Sequence, residues 1–168
     1  MSGEFSNRNA TLILTDVMQM VSIMREVSDE LKLITLINDY YAYASKYIAD
    51  HGGEVIKYSG DACLGIFGED QVTSAIDALK AMRADWPEFC EAHEVTPTGI
   101  KGSVHIGEVF VGKFGPQRLP DVMGKAVNVL FSMEGPGITL SEQAYRKLPS
   151  DKRGPFNKHG GHVTYVMK

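Results

Sequence analysis

Two aspartates in this chain stand where short apolar runs meet turns, a placement that suits a hard cation. Residues 54–67 read as two strands pinned around Ser59-Gly60, with Lys57 and Asp61 flanking the bend. A carboxylate beside a glycine-opened turn has no bulky side chain over it, and hard cations prefer oxygen ligands. Taken alone, Asp61 reads as an ordinary turn aspartate, because turns favour Asp for local hydrogen bonding. A second apolar run, residues 11–15, shifts that reading because it too ends in an aspartate, Asp16. Two strand-end carboxylates could share a pair of metal ions. Other reactive side chains carry less. His105 has no second histidine at ligand spacing and reads as structural. Asn128, a polar exception in an apolar stretch, reads on its own as a helix amide satisfied by the backbone.

The run Lys57-Tyr58-Ser59-Gly60-Asp61, behind a first strand that ends in Asp16, resembles the catalytic domain of class III nucleotidyl cyclases. The resemblance continues through Gly102-Ser103-Val104-His105-Ile106-Gly107-Glu108-Val109 and through Asp121-Val122-Met123-Gly124-Lys125-Ala126-Val127-Asn128-Val129, and covers residues 10–148 in order. It implies cyclisation of a ribonucleoside triphosphate with release of pyrophosphate, aided by two divalent ions, Mn²⁺ or Mg²⁺. It places Asp16, Asp61 and the backbone of Val17 at the metals, and the backbone of Met18, Gln19 and Met20 at the triphosphate. Lys57, Tyr58 and Asp121 fall at the base, Asn128 at the nucleotide, and Lys158 at a triphosphate lysine position. It further implies a head-to-tail homodimer, with metal carboxylates from one subunit and base-reading residues from the other.

The chain departs from that pattern at the triphosphate cradle, at the transition-state position and in a shorter spacing around Lys158. The Gly, Phe and Thr usual near Gln19, Met20 and Val21 are absent, and the arginine one turn after the asparagine is Ser132. Lys125 and Arg118 are the nearby cations that could substitute. Ser132 also leaves open a nucleotide-binding relative without turnover.

Lys57 and Asp121 offer one donor and one acceptor, which fits adenine, cytosine or uracil and suits guanine poorly. Tyr58, where purine cyclases carry a small residue, resembles the bacterial pyrimidine cyclases of Pycsar anti-phage defence. On that resemblance the substrate is UTP and the product cUMP, a second messenger for a cyclic-nucleotide-responsive effector, with ATP and cAMP the alternative.

Positioning these residues requires an α+β domain. Helical periodicity is expected from residue 17 to 27, from 29 to 50, from 70 to 84 with a break at Pro87, and from 123 to 133. Strands are expected at 100–107 and 109–114, joined by a Gly107-Glu108 bend, with a short strand and helix near Ser141 and a last strand at 163–166. The alternation suggests a ferredoxin-like antiparallel sheet with helices on one face.

At 168 residues the chain has enough length for one core, and a single domain over residues 1–168 is expected, with residues 1–10 flexible. A net charge of −4 without a Lys/Arg run argues against a DNA, RNA or anionic-membrane surface. No apolar run approaches the roughly 20 residues that span a bilayer. Cys63 and Cys90 lack metal spacing and read as reduced core residues of a cytoplasmic protein.

Overall fold

A computed structural model describes residues 5–159 and 164–167. Its centre is a pair of long antiparallel strands, β1 (Phe5–Met18) and β4 (Gly99–Phe114), in register from Phe5 opposite Gly112 to Met18 opposite Gly99. Apolar side chains alternate along β1, so Ile13 and Val17 enter one core and Ala10 and Leu12 the other. The hairpin of β2 (Glu54–Ser59) and β3 (Ala62–Gly68) adds to the free edge of β1. On the far side β4 pairs with β6 (Ile138–Ser141), then come β8 (Thr164–Met167) and β7 (Asn157–His159). A last strand, β5 (Leu119–Met123), folds back on β4 as a hairpin.

One sheet face is covered by α2 (Glu30–Asp50) and α3 (Val72–Ala92), joined by the short α1 (Met20–Glu26) and α5 (Glu142–Lys147). Asp29 caps α2 by accepting from the Leu31 and Lys32 backbone N-H groups at 2.9 and 3.1 Å. The opposite face carries α4 (Lys125–Ser132), which buries Ala126, Val127 and Leu130 against Leu12, Leu64 and Ile66.

The α+β class holds, and the details differ from expectation. The sheet is mixed rather than purely antiparallel, because β4 and β6 run parallel. The helices occupy both faces, since an α4 packed beside α2 and α3 would leave the Leu12 side of the sheet bare. Residues 5–10 are strand rather than a loose arm, held by pairing with residues 107–112.

The expected bend at Gly107-Glu108 does not form, and β4 runs through it. Gly107 serves close packing instead: a Cβ there would lie 2.7 Å from the Ala126 Cβ of α4. Likewise α3 continues through Pro87. A helix-interior proline costs about 3 kcal/mol, and the residues flanking it in α3 belong to a packed aromatic cluster. Trp86, 1% exposed, stacks on Phe89 at 4.7 Å and meets Tyr40 and Tyr43 edge-on. The helix expected from residue 17 begins at Met20, because Val17 and Met18 are still paired to Ile100 and Gly99. Of the expected last strand, Val163 lies outside the described residues.

Cys63 and Cys90 are buried free thiols, and burial pushes Cys63 up to about 12. His105 is buried on β4 with Nδ1 2.8 Å from the Ser141 hydroxyl, and burial lowers its pKa.

Candidate active site

Strand pairing brings the two aspartates together. Asp16, near the end of β1, lies opposite Ala62 of β3 and Lys101 of β4, while Asp61 sits in the turn just before Ala62. The turn needs Gly60, whose φ of 60° is a left-handed conformation that glycine adopts without strain. A backbone bond from Val17 N-H to the Asp61 carbonyl, 3.1 Å, fixes the turn to β1.

Lys101 is the residue that sequence reasoning missed. Its ammonium lies 3.1 Å from Asp16 Oδ2. Its basic character was visible, but the strand register that sets it opposite Asp16 was not. Half-burial raises the Asp16 pKa, the hydrogen bond and charge of Lys101 oppose that rise, and the nearby Asp61 carboxylate adds to it. Two carboxylates close enough to sense each other, with an ammonium on one of them, form a place that demands positive charge. A divalent cation fits this donor set. Among the described residues no group of three His, Cys, Asp or Glu side chains converges, so further ligands would be backbone oxygen, water or phosphate.

Beside this pair a groove of about 360 Å³ is lined by Leu14, Asp16, Lys101, Ser103, Phe131 and Glu134. Leu14 packs with the α4-side core, and period-2 alternation puts Asp16 on that same face.

Lys57 and Asp121 do meet. The Lys57 ammonium lies 2.9 Å from both carboxylate oxygens of Asp121, joining the edge strand β2 to β5. Asp121 Oδ1 also accepts from the Val122 N-H at 2.7 Å, which fixes the carboxylate's orientation. Tyr58 does not join them. It follows Lys57 on a strand, so its side chain turns toward α2, where its ring stacks on Tyr41 at 4.2 Å and its hydroxyl lies 2.5 Å from that of Ser45.

The remaining expected residues scatter. Met18 is strand, Gln19 takes a left-handed φ of 57°, and its carbonyl accepts from Ser22 and Ile23 at the start of a seven-residue α1 that opens at Met20. Lys125 and Asn128 are exposed on α4. Ser132 donates to the Val129 carbonyl at 2.8 Å, so its hydroxyl is spent on its own helix. Lys158 is exposed on β7, separated from β1 by β4, β6 and β8. At the usual strand spacing that is about 19 Å, too far to reach the aspartates of its own subunit.

The chain matches the model of the adenylate and guanylate cyclase catalytic domain over residues 4–167. An adenylate cyclase of Anabaena cylindrica is 30% identical over 162 residues, which cover 87% of this chain and 32% of the relative. The terminal-differentiation specific adenylate cyclase of Dictyostelium discoideum is 28% identical over 175 residues, 88% of this chain and 8% of the relative. The chain thus spans less than a third of the length of these relatives. Among solved structures, the adenylyl cyclase CyaB from P. aeruginosa superposes with a TM-score of 0.79 at 22% identity, over 97% of this chain and 94% of that one. The guanylyl cyclase Cya2 gives 0.79 at 19%, over 97% and 91%.

Proposed function

The chain belongs to the adenylate and guanylate cyclase catalytic domain family, and from that premise we propose that it converts a ribonucleoside triphosphate into its 3′,5′-cyclic nucleotide and pyrophosphate. The observation that carries this reading is the pairing of Asp16 and Asp61 on adjoining strand ends with Lys101 beside them. In the reaction the ribose 3′-oxygen bonds to the α-phosphorus as the bond to the β-phosphate oxygen breaks, and the hydroxyl proton departs to solvent. Mg²⁺ or Mn²⁺, which class III cyclases use, would supply acidification of that hydroxyl and neutralisation of the polyphosphate.

This chain's own residues supply the rest. Asp16 and Asp61 would hold the cations, with the Val17 backbone beside them. Lys101 neutralises Asp16 in the free protein and faces the groove where phosphate charge would collect. Asn128, exposed on α4, orients the nucleotide. Ser132 brings no charge, and Lys125 and Arg118, near it in sequence, with Lys101 at the groove, are the candidates to substitute in the transition state. Removing one such donor commonly costs on the order of 100 to 1,000-fold in rate, and a slow enzyme is the expected outcome. The main-chain cradle at Met18, Gln19 and Met20, and Lys158, stay assigned to the triphosphate by resemblance.

The base-reading pair and the metal pair come from opposite subunits of a head-to-tail homodimer. Lys57 and Asp61 lie only four residues apart on one hairpin, and Lys57 is held by Asp121 of β5. One pocket does not draw on both from one chain.

Two readings of the base are carried by different observations. Adenine, whose N1 acceptor and N6 donor the Lys57–Asp121 pair matches as it does uracil's O4 and N3-H, is favoured by the turning of Tyr58 toward α2, away from that pair. Uracil is favoured by the place of Tyr58 directly after the base lysine, 42% exposed and held rigid by Tyr41. Such a phenol could wall a composite pocket down to one ring. Under the uracil reading the product is cUMP, and it signals to a cyclic-nucleotide-responsive effector in anti-phage defence. Incubation with ATP, GTP, CTP and UTP in Mn²⁺, with mass identification of products, separates the readings. A chain that yields no cyclic product from any of the four is instead a nucleotide-binding relative.

A further inference from the structure

We propose that Tyr41 and Tyr58 form an aromatic brace that positions Asp61 for metal binding, an inference that rests on Asp16 and Asp61 being the metal carboxylates. Tyr41, on α2, donates from its hydroxyl to the Gly60 carbonyl at 2.7 Å. Gly60 is the residue directly before Asp61 and the one with a φ of 60°. Glycine is free to leave that conformation, so the turn needs an outside contact to hold it.

The brace is itself held. Tyr58 stacks on Tyr41 with ring planes 17° apart, and its hydroxyl lies 2.5 Å from Ser45, whose own hydroxyl donates to the Tyr41 carbonyl at 2.7 Å. Ring, hydroxyl and helix therefore form a closed set around the Tyr41 side chain.

The neighbouring residue does the same for the other aspartate. The Tyr40 hydroxyl lies 2.6 Å from that of Thr15, which directly precedes Asp16, and that contact is buried. Two successive tyrosines of one helix thus each grip the residue before one of the two carboxylates. On the other side of the turn, Val17 N-H holds the Asp61 carbonyl. Asp61 is then fixed by α2 through Gly60 and by β1 through its own peptide. Metal ligands bind well only when held to within about 0.5 Å of the productive geometry. Tyr41 and Tyr58 are positioning residues, because they act on the cation through Asp61.

The test is Mn²⁺ binding to the whole chain without nucleotide, read from the electron paramagnetic resonance signal of free Mn²⁺. Tyr41→Phe keeps the ring stack and removes the hydroxyl. It should raise the Mn²⁺ dissociation constant roughly 2 to 12-fold, the range for loss of one net hydrogen bond. Tyr58→Leu removes the stack and should weaken Mn²⁺ in the same direction, while Tyr58→Phe keeps the stack, loses only the Ser45 contact and should bind Mn²⁺ more tightly than Tyr58→Leu. In turnover, Tyr41→Phe should need more Mn²⁺ for half-maximal rate, recover its kcat at saturating metal, and keep its nucleotide KM.

Asp61→Asn is the control that separates the two failures. Loss of Mn²⁺ in Asp61→Asn with wild-type affinity in Tyr41→Phe and Tyr58→Leu overturns the brace alone. Wild-type Mn²⁺ affinity in Asp61→Asn overturns the metal assignment and the brace with it.

Discussion

Lys57 on β2 and Asp121 on β5 form an ion pair with the ammonium 2.9 Å from both carboxylate oxygens, tying the edge hairpin to a strand far from it in sequence. A base that displaces this contact must replace a donor and an acceptor at once. Lys57→Ala should therefore raise the nucleotide KM and blunt discrimination between bases, while Mn²⁺ binding at Asp16 and Asp61 stays unchanged. Steady-state kinetics on each ribonucleotide checks this.

If those pairs come from different subunits, mixing Lys57→Ala with Asp61→Asn should restore part of the activity that each lacks. Some heterodimers regenerate one site with both wild-type residues. Absence of rescue, with subunit exchange verified by differently tagged chains, points to sites built within one chain.

The hairpin motif was legible because Lys57-Tyr58-Ser59-Gly60-Asp61 is local: its turn chemistry and flanking strands lie within a few residues. The long helix α2 was legible for the same reason, through its 3.6-residue period. Lys101 was not, because its role comes from lying across from Asp16 in a pairing of distant segments. The continuity of β4 through Gly107 was hidden as well, since the same glycine serves a turn or a close approach, and only Ala126 decides between them. Tyr58 shows the limit of a motif: neighbours in sequence on a strand point to opposite faces.

With Tyr58 engaged by Tyr41 and Ser45, Tyr58→Thr should lower metal affinity and leave the ratio of ATP to UTP turnover unchanged. A rise in that ratio of roughly 5 to 150-fold, the range for relief of about 1 to 3 kcal/mol of overpacking, would instead make Tyr58 the selector and favour the pyrimidine reading.

Gly107→Ala tests the seat of α4. The added methyl would meet the Ala126 Cβ at 2.7 Å, and Ala126 is held in a packed core. Overpacking of this kind costs about 1 to 3 kcal/mol, so denaturant unfolding should shift by that amount. Turnover should fall too, since α4 carries Asn128.

His105 gives a pH signature. Burial lowers its pKa below the ordinary 6.5, so the folded protein prefers the neutral ring. Stability from this group is present above about pH 6.5 and is lost as pH falls, because the unfolded chain takes up the proton first. Chemical unfolding between pH 7.5 and 5 should show this decline, and His105→Asn should flatten part of it.

The most direct measurement is mass identification of products after incubation with each ribonucleoside triphosphate and Mn²⁺, for wild type, Asp16→Asn and Asp61→Asn. The expected result is a 3′,5′-cyclic nucleotide and pyrophosphate from ATP or UTP with the wild type, and none from either variant, each with wild-type circular dichroism. Cyclic product persisting in both variants at saturating Mn²⁺, or no cyclic product from any of the four triphosphates with the wild type, would contradict cyclisation at the Asp16–Asp61 pair.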